Sequence, residues 1–269
     1  MDRITPTIDF AAELKDIFDM RDRVVFMPGG YGGIGEAIAW ALALAGAHVT
    51  VAGRDAGKAD GLAQELVEHG LAADGIPLDV ESVSSVREAV DNVAGRHGRI
   101  DVLVNCVGIQ REEPLLEVTE EAYDEVYRVN LKGAMFLAQA VAKHQTTSNG
   151  GRQVHLLSVR AQLGLRDRGY SAYCSTKGAL VMLIKQHAME LARHGITVNG
   201  VAPTFVYTEM IRHVIENPEF SNTLLERIPL GRIADPKDVV GPVMFFCSDA
   251  SAFVTGQIMY VDGGITASQ

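Results

Sequence analysis

The segment "RVVFMPGGYGGIGEAIAWALALAGA" (residues 23–47) places a short apolar run, a glycine-rich turn and a helical run one after another. Residues 23–28 form a short, β-branched run that ends at Pro28 and glycines, which is typical of a buried strand. The residues from Gly33 to Ala47 are mostly Ala, Leu and Ile, and this composition favours a helix. The segment therefore predicts a strand–turn–helix unit.

Short apolar runs and longer helical segments continue to alternate along the chain. We predict further strands over residues 48–53, 72–78, 100–108, 152–159 and 196–203, and helices over residues 58–69, 82–97, 119–145 and 172–194. Strict alternation favours a parallel sheet covered by helices on both faces. We therefore expect an α/β fold: a Rossmann-type doubly wound parallel sheet, three-layered α/β/α, in a single domain (21–269) after an N-terminal extension (1–20).

Composition narrows the classes of partner. With 24 basic and 34 acidic residues and no run of Lys or Arg, the chain shows no footprint for nucleic acid or for an anionic membrane. No apolar run approaches the roughly 20 residues that span a bilayer. The three cysteines are scattered and form no C-x-x-C pair, which indicates a reducing compartment. We expect a cytoplasmic protein with a small-molecule partner.

Histidine spacing predicts no metal site. Three of the eight histidines (His69, His97, His194) precede a glycine at the end of a predicted helix, where glycine adopts the left-handed conformation. The remaining histidines do not cluster at metal-ligand spacings: His48, His144, His155, His187 and His213.

The glycine-rich turn fits two spacings at once. Gly30, Gly32 and Gly35 spell G-x-G-x-x-G, whereas Gly29, Gly33 and Gly35 spell G-x-x-x-G-x-G. Between a strand and a helix, glycines let the backbone approach a pyrophosphate, and the helix N-terminus offers unpaired N–H groups. The turn therefore predicts a dinucleotide site.

The end of the next predicted strand, "VAGRD", bears on the choice of dinucleotide. An acidic residue at this point binds the 2′-hydroxyl of NAD and repels the 2′-phosphate of NADP. Gly53 occupies that position and Arg54 follows, whose guanidinium can pair with a phosphate. This pattern favours NADP(H), while Asp55, one residue later, keeps NAD(H) open.

Four residues have the chemistry of a carbonyl–alcohol interconversion. Tyr173 and Lys177 in "YSAYCSTKGAL" lie four apart at the start of a predicted helix, hence on one face. A nearby ammonium lowers the pKa of a phenol from about 10. Ser158 ends a predicted buried strand, where its hydroxyl can bond a substrate carbonyl. Asn130 interrupts an otherwise apolar helix, either for function or because its side chain bonds the backbone.

Taken in order, these motifs resemble those of the conventional short-chain dehydrogenase/reductase family, from about Phe18 to Asp262. The matching features are G-x-x-x-G-I-G at Gly29–Gly35, "LDV" with Asp79, N-x-x-G at Asn105–Gly108, Asn130, Ser158, Tyr173-x-x-x-Lys177, "AP" at Ala202–Pro203 with Thr208, and "VTGQIMYVDGG". The resemblance selects the G-x-x-x-G-x-G register.

The family implies a role for each matching residue. Tyr173 is expected to act as general acid/base, Lys177 to lower its pKa and hold the nicotinamide ribose, and Ser158 to polarise the carbonyl. Asn130 is expected to support a water chain reaching Lys177. The implied reaction is reversible hydride transfer between nicotinamide and a secondary alcohol or ketone. The residues expected to contact the cofactor are Gly29, Gly33, Ile34, Gly35, Arg54, Asp79, Val80, Asn105, Gly108, Tyr173, Lys177, Pro203, Val206 and Thr208.

Three positions depart from the family pattern. Pro28 replaces a threonine whose hydroxyl usually ties the turn to an Asn-Asn-Ala-Gly segment, that segment reads "NCVG" here, and Pro203-Thr204 replaces Pro-Gly. We expect these changes to affect turn stability and cofactor affinity. Activity is expected to remain, since the four catalytic positions are intact.

The substrate prediction rests on weaker signals. Residues 204–232 break the strand–helix rhythm and form either a substrate lid or an ordinary surface helix pair. The segment "IPLGRIADPKDVVGPVMFFCSDAS" resembles the sugar-acid and polyol branch of the family, the gluconate 5-dehydrogenase-like enzymes. Substrate contacts are then expected from Ser158, Tyr173 and Arg160, with Arg111 as a further cation for a carboxylate.

Two alternatives and an assembly remain as hypotheses. The 3-oxoacyl-[acyl-carrier-protein] reductases share nearly all these motifs, although the acidic chain shows no basic patch for an acidic carrier. A non-catalytic nucleotide sensor or scaffold is the alternative from another class. By resemblance, the predicted helices 119–145 and 172–194 would pair across a homotetramer or dimer interface.

Overall fold

The computed structural model describes residues 16–148, 150–166 and 168–267, and within them the chain forms one sheet of seven parallel strands. The strand order is β3-β2-β1-β4-β5-β6-β7, so the chain reverses direction across the sheet between β1 and β4. The strands are β1 (Val24–Pro28), β2 (His48–Gly53), β3 (Ala73–Pro77), β4 (Val102–Asn105), β5 (Gly151–Leu156), β6 (Ile196–Pro203) and β7 (Ile258–Val261).

Helices cover both faces of this sheet. They are α1 (Gly33–Leu44), α2 (Ala56–Glu68), α3 (Val83–His97), α4 (Glu120–Tyr127), α5 (Gly133–Gln145), α6 (Ser171–Leu191), α7 (Arg212–Ile215), α8 (Pro218–Glu226) and α9 (Pro236–Cys247). The predicted doubly wound α/β/α fold is confirmed. No helix among the described residues is both long enough and apolar enough to cross a membrane.

Alternate residues of each strand pack into opposite core layers. In β1, Val25 and Met27 join the layer under α1, α2 and α9, whereas Val24 and Phe26 join the layer under α3 and α5. All five residues of β1 are buried, as a parallel sheet covered on both faces requires. This arrangement brings the carboxyl ends of β1, β4, β5 and β6 to one edge of the molecule, where ligands bind in such folds.

Helix ends follow the sequence signals. Asp55, Ser82 and Thr119 are N-cap residues whose side chains accept a backbone N–H of α2, α3 and α4. The predicted His-Gly ends are confirmed, since Gly98 (φ 73°) and Gly195 (φ 69°) adopt the left-handed conformation after α3 and after the turn that follows α6.

Several predicted elements are shorter or interrupted. The single helix predicted over 119–145 is two α-helices joined by a π-helical turn, Arg128–Lys132. The strand predicted over 100–108 ends at Asn105, and the strand predicted over 152–159 ends at Leu156, which leaves Ser158 beyond it. The segment 204–232 contains a 3-10 turn, α7 and α8. The sequence analysis did not identify α9 or β7 as elements.

The predicted boundary after residue 20 falls inside the packed structure. Met20 is fully buried in the core, its N–H donates to the carbonyl of Ala45, and the carbonyl of Ile17 accepts from Ala250. Residues 16–20 therefore pack with the sheet domain. Residues 1–15 of the predicted extension lie outside the described residues.

Candidate active site

The glycine-rich turn between β1 and α1 is packed too closely for side chains at two positions. Gly29 has φ +74°, and a Cβ there would lie 2.9 Å from the carbonyl carbon of Cys106 and the nitrogen of Val107. A Cβ at Gly35 would lie 2.6 Å from the carbonyl oxygen of Gly29, whereas at Gly32 the nearest atom is 3.7 Å away. The packing therefore favours the G-x-x-x-G-x-G register, since a Cβ at Gly29 would meet backbone atoms whereas Gly32 has space for a side chain.

The first turn of α1 is open to an anion. Its N-cap is Gly32, which supplies no capping side chain, unlike the N-caps of α2, α3 and α4. Uncapped N–H groups at a helix N-terminus attract phosphate oxygens. The turn thus fits the diphosphate of a dinucleotide.

Backbone hydrogen bonds replace the tie that Pro28 removes. The carbonyl of Pro28 accepts from the N–H of Cys106 at 2.9 Å, and the N–H of Gly29 donates to Ala52 at 2.8 Å. In the "NCVG" segment, Asn105 Oδ1 accepts from the N–H of Val107 at 3.1 Å. The glycine-rich turn and the loop after β4 are therefore joined by hydrogen bonds, although Pro28 and the "NCVG" segment depart from the family pattern.

An aromatic ring covers Gly53 at the carboxyl end of β2, the position at which a carboxylate would favour NAD. The ring of Tyr31 covers Gly53 so closely that a Cβ at Gly53 would overlap it. The Tyr31 hydroxyl accepts from the N–H of Asp55 at 3.3 Å. Asp55 itself caps α2 through Oδ1, which accepts from the N–H of Lys58 at 3.1 Å. Sequence analysis missed Tyr31, because its contact with Gly53 is between distant residues.

Arg54 borders a cavity beside this strand end. Its side chain is 60% exposed, with Nη1 3.7 Å from Glu81 Oε1. The cavity measures about 580 Å³ and is also lined by Asp79, whose Oδ1 accepts from the N–H of Glu81 at 3.0 Å. A long exposed ion pair of this kind is weak, so Arg54 is free to meet another anion.

Tyr173, Lys177 and Ser158 meet at the carboxyl end of β5. The Lys177 Nζ lies 5.5 Å from the centroid of the Tyr173 ring and donates to the carbonyl of Leu156 at 2.9 Å. Ser158 begins a 3-10 turn, where its hydroxyl accepts from the N–H of Arg160 at 3.2 Å. The strand end and the first turns of α6 thus bring the three predicted side chains together.

Burial is the largest cause of the pKa shifts of Tyr173 and Lys177. It raises the pKa of Tyr173 to about 12, opposed by the hydrogen bond with Ser158. It lowers the pKa of Lys177 to about 8. We expected Lys177 to lower the pKa of the Tyr173 phenol. In the protein without cofactor, the hydrogen bond from Ser158 lowers that pKa instead. Burial raises the pKa by more than this hydrogen bond lowers it.

Asn130 lies in the π-helical turn and clamps the loop after β4. Its Oδ1 accepts from the N–H of Ile109 at 2.8 Å, and its Nδ2 donates to the carbonyl of Ile109 at 2.9 Å and to Thr176 Oγ1 at 3.3 Å. A Cβ at Gly108 would lie 3.3 Å from Lys177 Nζ and 3.7 Å from Asn130 Oδ1. Asn130 therefore bonds the backbone, and it lies with Lys177 beside the position that a side chain at Gly108 would occupy.

The two arginines predicted for a substrate carboxylate are already engaged. Arg160 is buried, and its Nη1 donates to the carbonyls of Gly164 at 2.5 Å and Leu163 at 3.4 Å. Arg111 forms a bidentate pair with Glu125 at 2.7 and 2.6 Å. The Nη1 group of Arg160 holds the loop after Ser158, and contact of Arg160 with a substrate carboxylate stays a prediction.

The remaining predicted cofactor residues lie along the same edge. Thr208 contacts the turn, since a Cβ at Gly33 would lie 2.8 Å from its Cγ2. Pro203 ends β6 beside Val261, and Val206 is buried and bridges to Ala234. Of the other predicted residues, Val80 is buried in a core layer of the sheet, and Ile34 is partly buried against the opposite layer.

An aromatic and ionic contact joins the segment 204–232 to the site. The guanidinium carbon of Arg168 lies 5.5 Å from the ring centroid of Tyr170 and 5.6 Å from that of Phe220 in α8. Arg168 also pairs with Glu112. Phe220 packs edge-on against Phe205 at 5.3 Å. The segment therefore packs beside the tyrosine that precedes α6, and no spacing in the sequence indicated this contact.

Comparisons with known proteins agree with this arrangement. The family model described as enoyl-(acyl carrier protein) reductase matches residues 30–266. The chain is 34% identical to 5-keto-D-gluconate 5-reductase of Escherichia coli and 36% identical to gluconate 5-dehydrogenase of Gluconobacter oxydans, each over 94% of this chain and 98% of the relative.

A solved structure extends the similarity to three dimensions. The crystal structure of a gluconate 5-dehydrogenase from Burkholderia cenocepacia in complex with NADP and tartrate is 38% identical, with a TM-score of 0.91 over 94% of this chain and 99% of that one. With a glycine turn, a Ser–Tyr–Lys group and an asparagine clamp at the carboxyl edge of its parallel sheet, the chain belongs to the short-chain dehydrogenase/reductase family.

Proposed function

We propose that this protein catalyses reversible NADP(H)-dependent hydride transfer to the ketone of a sugar acid or polyol, with the secondary alcohol as the reverse substrate. The observation that carries the proposal is the convergence of Ser158, Tyr173 and Lys177 at the sheet edge that also holds the open N-terminus of α1. When bound, the nicotinamide supplies the hydride, and its oxidised ring supplies a positive charge.

The chain's own residues supply position and proton transfer. The Tyr173 phenol donates its proton to the carbonyl oxygen during reduction, and as phenolate it accepts the alcohol proton during oxidation. The Ser158 hydroxyl polarises the same oxygen and stabilises the phenolate. Lys177, held by the carbonyl of Leu156, orients the ribose hydroxyls through its ammonium. Asn130 keeps the Ile109 backbone and Thr176 in place beside them.

Preference for NADP(H) over NAD(H) follows from the end of β2. Tyr31 occupies the space over Gly53 that a discriminating carboxylate would need. The Asp55 carboxylate, which had kept NAD(H) open, is used as a helix cap. Arg54 is the exposed cation at this point, and a guanidinium binds a 2′-phosphate more strongly than a hydroxyl.

Replacing Arg54 tests the cofactor preference. Hydrogen bonds to charged groups contribute about 1.5–3 kcal/mol, so Arg54→Ala should lower the NADP/NAD ratio of kcat/KM by roughly tenfold or more. The matched control is Lys58→Ala, which removes a cation near Asp55 that lies further along α2. An unchanged ratio in Arg54→Ala, or an equal loss in the control, would contradict this assignment.

A hydroxyl-rich substrate suits the polar groups beside the catalytic residues. Within the described part of the chain, both polar atoms of the Gln110 side chain are buried without a hydrogen-bond partner, as is the Thr204 hydroxyl. Buried polar atoms of this kind need a ligand or water. Gln110 directly follows Ile109, which Asn130 holds. The named sugar-acid activities of the relatives point to the same class of substrate.

A substrate panel separates this proposal from its main alternative. Sugar acids, polyols and 3-oxoacyl thioesters are assayed with both cofactors by the absorbance of the reduced nicotinamide. We expect the highest kcat/KM with a keto sugar acid or its alcohol. Turnover confined to 3-oxoacyl thioesters would instead assign the acyl-carrier-protein reductase activity.

We further infer a cytoplasmic homotetramer or dimer. The three cysteines, Cys106, Cys174 and Cys247, are free, which suits a reducing compartment. The segment α4–α5 and the helix α6 leave apolar side chains exposed: Tyr123, Met135, Met182 and Met189. Pairing of these helix faces between subunits would cover them.

A lid role for the segment 204–232 is also proposed, since Phe220 of α8 packs on Arg168 beside the active site.

A further inference from the structure

We propose that His48, Asp74 and His97 form a binding site for a divalent transition-metal ion, represented by Zn²⁺, at the edge of the sheet opposite the catalytic residues. The proposal is independent of the hydride-transfer function. It concerns a cluster that histidine spacing alone did not predict, because the three residues are separated by more than twenty positions along the chain.

The fold brings the three side chains together from three elements. His48 is the first residue of β2, Asp74 is the second residue of the neighbouring parallel strand β3, and His97 is the last residue of α3. The predicted role of His97 as a polar residue before a capping glycine is retained, but its ring also turns toward the sheet. All three lie at the amino-terminal edge of the strands, whereas Tyr173 and the cofactor turn lie at the carboxyl edge.

The donor atoms converge on one point. The Nε2 of His48 lies 2.7 Å and the Nε2 of His97 lies 3.0 Å from the same oxygen, Asp74 Oδ2. All three donor atoms lie within 4.8 Å of one another. Zn²⁺ binds imidazole nitrogen and carboxylate oxygen at about 2.0–2.2 Å in a tetrahedral arrangement. Its ligands are then roughly 3.3 Å apart, so movements of about half an ångström would accommodate the ion.

The donor set selects the kind of ion. Two imidazoles and one carboxylate suit zinc, nickel or copper, whereas Mg²⁺ and Ca²⁺ favour oxygen ligands. The three side chains are 30%, 23% and 17% exposed, so one side of the cluster is open to a water as fourth ligand. An aspartate carboxylate is charged at neutral pH, so Asp74 supplies an anionic ligand.

The surroundings of the carboxylate leave Oδ2 available. Thr50 of β2 lies directly across from Asp74, and its hydroxyl, like Asp74 Oδ1, is buried without a hydrogen-bond partner among the described residues. Arg96 Nη1 lies 3.9 Å from the other oxygen, Oδ1. This guanidinium opposes a bound cation, but it is half exposed and can turn into solvent. A bound ion would then join the edge strand β3 to β2 and to α3.

Titration of the metal-stripped full-length protein with ZnSO₄ tests the site. Calorimetry should give one Zn²⁺ per chain, and saturating Zn²⁺ should raise Tm by on the order of 3 °C or more. His48→Ala and His97→Ala should each weaken binding by at least about tenfold, because loss of a ligand exceeds the 10–100-fold effect of losing an outer-shell partner. The matched control is His144→Ala, since His144 pairs with the single carboxylate Asp91 at 2.9 Å and should leave binding unchanged.

Two results would overturn the proposal. If the wild-type protein does not bind Zn²⁺ saturably at 1:1, then His48, Asp74 and His97 form only a hydrogen-bonded triad. Binding that survives both His48→Ala and His97→Ala would place the ion elsewhere. NADPH binding and metal-free melting establish that each variant is folded. If a variant unfolds, the wild-type protein is titrated with Co²⁺ and its visible absorption is measured. Strong absorption would show tetrahedral, nitrogen-ligated cobalt, because the hydrated ion absorbs far more weakly. Absorption no stronger than that of the hydrated ion would overturn the proposal.

Discussion

Tyr173 occupies an environment that by itself favours the neutral phenol. Burial raises its pKa to about 12, and the hydrogen bond from Ser158 recovers only part of that shift. The neutral phenol suits the donor required in the reduction direction. Ionisation for the oxidation direction requires further positive charge, which a bound oxidised nicotinamide would supply.

Tyr173→Phe should reduce turnover by on the order of 10²–10⁴-fold while NADPH still binds, because the ring remains and only the transferable proton is lost. Steady-state assays and nucleotide titration measure the two effects separately. Tyr170→Phe is the matched control, since its ring packs edge-on against Tyr173 at 6.0 Å. Full turnover by Tyr173→Phe would exclude the proposed mechanism, whereas a wild-type protein that binds NADPH without any turnover would favour the sensor hypothesis.

Ser158→Ala should shift the pH dependence of alcohol oxidation to higher pH. The Ser158 hydrogen bond lowers the pKa of Tyr173, so its removal raises that pKa, and the phenolate that accepts the alcohol proton then forms at more alkaline pH. The measurement is kcat/KM for oxidation against pH. A shift toward acid, or a loss of rate without any shift, would show that Ser158 does not set the ionisation of Tyr173.

At the scale of elements, the π-helical turn between α4 and α5 positions the loop after β4. Five residues, Arg128–Lys132, depart from the α-helical pattern, and Asn130 at their centre is buried while bonding both backbone groups of Ile109. Such turns occur often at functional sites, because the extra residue redirects one side chain without ending the helix. The clamp fixes the loop beside Gly108, where a side chain would meet Lys177 and Asn130.

Asn130→Ala should lower both stability and kcat. The substitution leaves the N–H and C=O of Ile109 without their partner, at about 1–3 kcal/mol for each buried group. A loss of that size lowers Tm by roughly 2–4 °C per kcal/mol in a chain of this length. As a positioning residue, Asn130 should affect kcat more than the KM for NADPH. Asn130→Asp retains an acceptor for the Ile109 N–H, so its kcat should lie between those of the wild type and Asn130→Ala. Equal kcat in these three proteins would contradict the assignment.

At the scale of the whole molecule, the exposed apolar side chains suit the proposed pairing of subunits. Met182 and Met189 of α6 are 62% and 66% exposed, and Met135 of α5 contacts α6 through its Sδ, which lies 3.3 Å from His187 Nε2. Apolar side chains grouped on one face mark an interaction surface.

Met182→Glu should therefore reduce the molecular mass measured by size-exclusion chromatography with light scattering, because it places a charge in the proposed interface. Leu116→Glu is the matched control, since Leu116 is 96% exposed but lies outside these helices. A monomeric wild-type protein, or a tetramer unaffected by Met182→Glu, would contradict the proposed interface.

What could be predicted from the sequence depends on short-range patterns. The alternation of strands and helices, the G-x-x-x-G-x-G turn and the spacing of Tyr173 and Lys177 follow from periodicity, glycine conformation and helix geometry, each set by neighbouring residues. These patterns were enough for the sheet, the position of the site at its carboxyl edge and the family.

The tertiary structure alone decided the contacts between residues far apart in the chain. The ring of Tyr31 over Gly53, the use of Arg160 by backbone carbonyls and the junction of His48 with His97 arise when packing brings separate elements together. Local propensity carries no information on such contacts, since each depends on which faces of the sheet and helices meet. The sequence by itself therefore determined the chemistry and scaffold of this protein, and the fold decided which polar side chains remain free to bind a ligand.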